Sequence, residues 1–259
     1  MIRHRFPEDL FPPINRKQWN LSIDMGYQLL IESDLCLVGL ARNIEYALEL
    51  NLIRIDYLRT LCKSLRWVIV TNGNSDRTLE VLENYARKDD LILSLDDDRT
   101  QHASVVSEER YRDMAFYRNQ YVPHLGGEYT IVYDLDILGG FSYDGLANSF
   151  IQFKGDMIGS NGIIYQNGMR LYYDALAFRR LGKKGPHDTT EINLLNYTRG
   201  EDLIRVQSCF GGLGIYKTES LVKSEYQAWD CDHVTINKNL ECYLNPSQII
   251  LYSDNPYCV

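Results

Sequence analysis

Glu128-Tyr-Thr-Ile-Val-Tyr-Asp-Leu-Asp136 is a short β-prone run that ends in two aspartates one residue apart. Thr130, Ile131, Val132 and Tyr133 are side chains that fit a buried strand, so Asp134 and Asp136 fall where that strand leaves its sheet. Burying two unpaired carboxylates is costly. At the carboxyl end of a strand, beside a cleft, the same pair can hold a divalent cation against the phosphates of a substrate. An acidic surface turn uses the same residue types, so the flanking sequence has to decide between the two.

Upstream, apolar runs of strand length alternate with stretches of helical spacing. Asp34-Leu-Cys-Leu-Val-Gly-Leu-Ala41 is short and apolar enough for a buried parallel strand that ends at Arg42-Asn43. Ile44, Ala47, Leu48, Leu52, Ile55, Leu58 and Cys62 then recur at helical spacing. Leu65–Val70 reads as a second strand, closed by Thr71-Asn-Gly-Asn-Ser-Asp76, and a helix runs on through Leu79, Leu82, Tyr85 and Ala86. Asn74, Ser75 or Asp76 can cap that helix. Leu91–Leu95 is a third strand leading into Asp96-Asp-Asp-Arg99, an acidic run that reads as a solvated loop in preference to a second metal site. A helix follows over about Ser107 to Tyr121, with Glu108 and Glu109 in its first turn where the helix dipole favours them. The aspartate strand is therefore the fourth of an alternating series, the pattern of a parallel sheet with helices on both faces. In such sheets ligands bind beyond the carboxyl ends of the strands, so all of this polar punctuation is expected on one edge.

Downstream the pattern changes. Phe150–Phe153, Met157-Ile158, Ile163–Tyr165 and Arg170–Tyr173 are β-prone pieces separated by Gly, Asn and Asp, which predicts a smaller mixed sheet with long loops. Gly182-Lys-Lys-Gly-Pro186 reads as an exposed loop, and a helix is expected near Ser220 to Tyr226. Residues 1–33 hold Pro7, Pro12 and Pro13 and show weak periodicity, which predicts an arm packed outside a single domain spanning 34–259.

The 259 residues can bury a sizeable core. A net charge of -8 argues against a nucleic-acid-binding surface or a polybasic membrane patch. A phosphate-bearing ligand would need local neutralisation by a metal or a few placed cations. The six cysteines are irregularly spaced with no Cys-x-x-Cys, which argues against a zinc ribbon and a dense disulfide frame. No stretch approaches the roughly 18 apolar residues of a membrane span, and the chain reads as soluble and cytoplasmic. Nineteen tyrosines and three tryptophans suit a sugar-binding cleft, and equally an ordinary core.

Taken in order, several segments resemble the GT-A-fold glycosyltransferases that use nucleotide sugars. Thr71-Asn-Gly-Asn-Ser-Asp-Arg-Thr78 is similar to that family's loop after the second strand, and Ala115-Phe-Tyr-Arg-Asn119 to the Arg-Asn on the helix before the metal strand. Asp134-Leu-Asp136 resembles the Asp-x-Asp motif. Cys209-Phe-Gly-Gly-Leu-Gly-Ile-Tyr216 and Trp229-Asp-Cys-Asp-His233 resemble the acceptor-side glycine loop and the later acidic-His segment. Phe210-Gly-Gly-Leu-Gly-Ile-Tyr216 and Cys231-Asp-His-Val234 look most like the capsule-associated mannosyltransferases of fungi and the glycosyltransferases of large DNA viruses. The resemblance spans about Leu35 to Leu240.

The resemblance implies a nucleoside-diphosphate sugar donor, a glycan or other hydroxyl acceptor, and Mn2+ or Mg2+ held by Asp136 and Asp134, with His233 as a further ligand. Asp134 would act through water or the ribose hydroxyls, and Arg118 would neutralise phosphate or order the aspartate turn. Asp232 is the implied general base of an inverting transfer. Asn43 and Asp76 would lie near the nucleotide, although both are also helix-capping types. Gly211 and Gly212 would let backbone approach the sugar or would form a tight turn. Asp174 is either a structural carboxylate or a sugar contact. Three rival readings share the Asp-x-Asp. An aspartyl phosphotransferase carries it near the start of its domain, and a nucleotidyltransferase opens with a basic glycine loop that Gly39-Leu-Ala-Arg-Asn43 matches poorly. A non-catalytic sugar- or nucleotide-binding relative would have no need to keep Asp134, Asp136, Asp232 and His233 together.

Overall fold

The computed structural model describes residues 6–97, 102, 104, 106–183 and 188–253. Asp98 and Arg99 of the acidic run, Lys184-Gly185-Pro186 of the expected exposed loop, and Cys258 lie outside the described residues. Helix α1 (Arg16–Ile31) precedes strand β1 (Asp34–Ala41), after which α2 (Glu45–Arg59), β2 (Ser64–Asn72), α3 (Thr78–Tyr85), β3 (Leu91–Leu95), α4 (Glu108–Tyr121) and β4 (Tyr129–Tyr133) alternate. β1 pairs in parallel with β2 and β4, and β2 in parallel with β3. The period of two then sorts side chains between the faces. Leu35, Leu37, Trp67, Ile69, Ile131 and Tyr133 pack in one layer with apolar residues of α1 and α2, while Cys36, Val38, Val68, Val70 and Val132 pack in the other with α4.

The second half comprises β5 (Gly140–Phe141), α5 (Tyr143–Gln152), β6 (Met157–Gln166), β7 (Met169–Tyr173), α6 (Thr189–Asn193), β8 (Ile204–Val206), β9 (Leu213–Lys217), α7 (Thr218–Leu221), α8 (Asp232–Ile236) and β10 (Cys242–Leu251). Its mixed sheet is continuous with the parallel half, because β9 runs antiparallel to both β4 and β6. The main path is β3-β2-β1-β4-β9-β6-β10-β5, with β7 on β6 and β8 on β10. The result is one α/β domain. No helix among the described residues is long and apolar enough to cross a membrane.

Three local expectations change. Phe150–Gln152 end α5 rather than forming a strand, because Ser142 accepts from the Gly145 N–H to cap that helix, and Leu146 and Phe150 bury one turn apart. Only Thr218–Leu221 is helical in the segment expected to reach Tyr226. Asn119 takes the Tyr226 N–H and donates to its carbonyl, drawing that backbone out of a helix. Within residues 1–33 lies a sixteen-residue helix, α1, capped by Asn15 and burying Trp19, Ile23, Gly26 and Leu30. A Cβ on Gly26 would sit 2.4 Å from the Ala147 carbonyl oxygen, so this glycine permits the close crossing of α1 over α5.

Candidate active site

The carboxyl ends of β1, β2 and β4 open on a cleft of about 600 Å3. Asp134 and Asp136 enter it from the turn after β4, Arg118 from α4, Asp174 from the segment after β7, and Asp232 and His233 from the first turn of α8. Arg118 and Asp232, which meet here, are 114 residues apart in sequence.

Arg118 joins them. It is 3% exposed, on the same side of α4 as Ala115 and Tyr121, between the rings of Phe210 and Tyr226 at 5.8 and 5.9 Å. Its Nε donates to Asp232 Oδ2, and its Nη2 to Asp134 Oδ1 at 3.5 Å. The Tyr173 hydroxyl donates to Asp134 Oδ2 at 3.3 Å, and the Asp134 N–H donates to the Gly212 carbonyl at 3.0 Å. Asp134 is therefore held from three sides. Asp136 has no ion-pair partner among the described residues.

Burial pushes the Asp134 carboxyl up; Arg118 offsets this in part, while the charge of Asp136 adds to it. Asp136 is raised by burial as well. Asp232 goes the other way: burial alone would raise it, but the Arg118 guanidinium holds it well below the usual carboxylate range. Burial and the Arg118 charge lower His233 to about 3, so its imidazole is neutral at physiological pH. That ring stacks on Phe210 with centroids 3.5 Å apart, and neither ring nitrogen has a hydrogen-bond partner among the described residues.

These residues fit a divalent cation and a phosphate. Two carboxylates raised by burial and crowding gain from a cation, a neutral imidazole with free nitrogens suits Mn2+, and the buried Arg118 Nη1 has N–H groups to spare. Among the described residues no three His, Cys, Asp or Glu side chains close into a ready cage. Cations held by one or two carboxylates together with water and substrate phosphates need no such cage.

Four expected site residues stand elsewhere or serve the backbone. Asn43, at φ +52°, donates its N–H to Asn74 Oδ1 and accepts from the Ser75 N–H at 2.7 Å. Asp76 accepts from the N–H groups of Glu45 and Thr78 at 3.0 and 2.9 Å, so these two residues latch the loops after β1 and β2 together. Neither lines the cleft. Gly211 and Gly212 have φ +66° and +89°, and a Cβ on Gly211 would lie 2.2 Å from the Ser160 carbonyl oxygen. Their lack of side chains answers to packing against β6 and the aspartate turn. Sequence reading passed over Tyr173; its signal was the Tyr172-Tyr173 pair ending β7, where Tyr172 is buried and the next residue faces the opposite side.

No family model matches the chain, and no curated protein matches it. Solved structures share its fold. A mannosyltransferase from Pyrobaculum calidifontis, in complex with GDP-Man and Mn2+, aligns with a TM-score of 0.52 and 14% identity over 93% of this chain and 66% of that one. S. aureus TarS 1-349 aligns at 0.51 and 14% over 85% of this chain and 60% of that one. The same TarS fragment in complex with UDP-GlcNAc aligns at 0.50 and 13%, over 84% and 58%. The chain thus spans 58–66% of the length of these structures. The neighbours are glycosyltransferases of the GT-A fold, and this chain has their architecture.

Proposed function

We propose that the chain is a metal-dependent glycosyltransferase that moves a hexose from a nucleoside diphosphate to a hydroxyl of a glycan or glycoconjugate. The observation that carries this reading is the meeting of Asp134, Asp136, Arg118, Asp232 and His233 in one cleft at the carboxyl edge of a GT-A-type sheet. The neighbours solved with GDP-Man and Mn2+ and with UDP-GlcNAc support a nucleoside-diphosphate hexose as donor. The likeness of the Phe210–Tyr216 and Cys231–Val234 segments to capsule-associated mannosyltransferases supports polysaccharide assembly as the setting.

A divalent cation on Asp136, with Asp134 and His233 near it, would supply Lewis-acid stabilisation of the departing diphosphate. The residues of the chain set up the rest. Arg118 keeps Asp232 ionised and places N–H donors beside Asp134, where phosphate charge would grow. Tyr173 fixes the orientation of Asp134, and the ring of Tyr252 stands 4.6 Å from that of Tyr173, giving the cleft an aromatic wall for a sugar face.

An inverting transfer also needs a base for the acceptor hydroxyl. Asp232 holds that place in the resemblance, but its ion pair with Arg118 makes it a weak base. A second reading has a specific observation behind it. Asp174 lines the same cleft, and burial, followed by the nearby Asp232 charge, raises its carboxyl to about 6, closer to what general-base catalysis at neutral pH requires. The testing experiment is release of nucleoside diphosphate from a panel of GDP- and UDP-hexoses, with and without Mn2+ and with simple glycosides as acceptors. Metal-dependent release from one donor is expected, and no release from any of them would sink the proposal.

A further inference from the structure

Beneath the aspartate turn, on the side away from the cleft, lies a buried polar network that the transfer chemistry above does not use. Asn51 and Arg54 stand one turn apart on α2 and are 0% and 2% exposed. Asn51 Nδ2 donates to the carbonyls of Leu135 and Ile137, both at 2.8 Å. Arg54 Nη1 donates to Asn51 Oδ1 at 2.9 Å and to the Ile137 carbonyl at 3.2 Å, while Nη2 donates to the Leu138 carbonyl at 2.6 Å. The Tyr133 hydroxyl completes the set by donating to Asn51 Oδ1 at 2.7 Å.

Two features distinguish this network from ordinary core packing. Arg54 is a buried cation with no carboxylate within ion-pairing distance among the described residues; the groups that solvate it are the Asn51 amide oxygen and two backbone carbonyls of the turn. Burying a guanidinium in that way is expensive unless each carbonyl is well placed, so the arrangement tolerates little movement of the turn. The chain also makes room for it. Gly140 has φ +82°, and a Cβ there would lie 2.6 Å from Arg54 Nε.

Two of the bonded carbonyls, those of Leu135 and Ile137, flank Asp136. A peptide group is planar, with its C=O and N–H on opposite sides. Anchoring the Leu135 carbonyl to Asn51 therefore turns the Asp136 N–H away from α2. Anchoring the Ile137 carbonyl does the same for the Leu138 N–H, which donates to the Tyr252 carbonyl at 2.9 Å. With the Asp134 N–H fixed to Gly212, the backbone is tethered on both sides of Asp136. Asp136, the carboxylate without an ion-pair partner, is thus held in place by its backbone.

We propose that Asn51 and Arg54 are positioning residues that clamp the Asp134–Asp136 turn in the geometry that accepts a divalent cation with a nucleoside diphosphate. The clamp rests on the metal-diphosphate reading of the cleft. It acts through carbonyls rather than by touching the ligand, so its removal weakens metal affinity first; outer-shell partners of metal ligands are typically worth about 10- to 100-fold in affinity.

The test uses Mn2+ with GDP or UDP as probes and reads free Mn2+ by electron paramagnetic resonance on the whole chain. Asn51→Asp keeps the acceptor for Arg54 and Tyr133 but replaces both N–H donors with an oxygen that repels the Leu135 and Ile137 carbonyls. Its half-saturating Mn2+ concentration is expected to rise about tenfold or more. Its metal-free unfolding midpoint should stay near that of the parent, because the new carboxylate pairs with Arg54. Arg54→Lys keeps the charge and the fold while losing the forked donor, and should raise the Mn2+ requirement by a smaller factor. If either variant binds Mn2+ like the parent, the clamp is refuted and the reading of the cleft stands. A loss of Mn2+ affinity that only parallels a fall in the unfolding midpoint refutes it too, since that would be general loosening. If the parent itself shows no nucleotide-linked Mn2+ binding, the transferase reading falls and the clamp with it.

Discussion

Replacing Arg118 by Met removes the cation that pairs with the carboxylate of Asp232, itself 3% exposed. Breaking a buried pair from one side leaves an uncompensated charge, which typically costs about 3–5 kcal/mol. At about 2–4 °C per kcal/mol for a chain of this size, the unfolding midpoint should fall by roughly 6–20 °C at neutral pH. The pH dependence sharpens the prediction. In the parent chain Arg118 holds Asp232 below its unfolded value, so the pair stabilises above about pH 4 and that contribution is lost as pH falls further. Without Arg118, burial is opposed only by the weaker charge effects of His233 and Arg110, and the folded carboxyl rises above the unfolded value. The variant is then least stable at neutral pH and recovers as Asp232 takes up a proton. Its deficit against the parent should therefore shrink on acidification toward about pH 4. Urea unfolding in chelator-treated buffer across that range measures it. The pair Arg118→Met with Asp232→Leu, which removes both charges, should restore most of the loss. An unchanged midpoint at neutral pH, or a deficit that grows on acidification, would refute the reasoning.

Other expectations follow from single contacts. Asp76→Ala should destabilise by about 1–2 kcal/mol, since it strips the acceptor from the N–H groups of Glu45 and Thr78. For Asp76, burial would raise the carboxyl, but the hydrogen bonds from Thr78 and Glu45 outweigh it and hold it low. The difference from the parent should thus be full above about pH 4 and fade in acid, as equilibrium unfolding would show. Gly212→Ala forces a side chain onto φ +89° and within 2.6 Å of Ile137 Cδ1, a cost of about 1–3 kcal/mol, readable as a lowered denaturation midpoint. If Asp174 takes the acceptor proton, Asp174→Asn should slow transfer by about 100- to 10,000-fold with nucleotide affinity intact. The parent's transfer rate should then fall as pH drops below about 6. Transfer lost in Asp232→Asn but kept in Asp174→Asn would return the role to Asp232.

The parallel half was legible because each of its strands is a short apolar run closed by polar residues, and α2 and α3 bury apolar residues at helical spacing. Asp34–Ala41 and Leu91–Leu95 therefore appear with the bounds their patterns gave. Phe150–Phe153 misled because a short apolar run fits a strand or a helix end, and only the cap at Ser142 and the packing of Leu146 settle it. Helix α1 was obscured by the prolines before it and by Leu21, Met25 and Leu29, large apolar residues left exposed that blur its amphipathic pattern. At the site, Asp134, Asp136, Arg118, Asp232 and His233 were readable as residue types at telling places. Their couplings were not. Arg118 and Asp232 are 114 residues apart, and nothing local reports that one would depress the other's proton affinity. Asn51 and Arg54 were invisible for the same reason: on α2 they look like surface residues, and their partners are backbone carbonyls that no side-chain pattern reveals.

The central claim is that the Asp134–Asp136 turn holds a metal–nucleoside-diphosphate complex, and thermal unfolding with a panel of nucleoside diphosphates and their sugars, with and without Mn2+, tests it most directly. A ligand at about 100 times its dissociation constant adds about 2.7 kcal/mol to stability, or roughly 5–11 °C for a chain of this size. The account predicts such a rise with one nucleoside diphosphate, only with Mn2+, and its loss in Asp136→Asn while the ligand-free midpoint holds. No response to any nucleotide, or an equal metal-dependent response in Asp136→Asn, would contradict it.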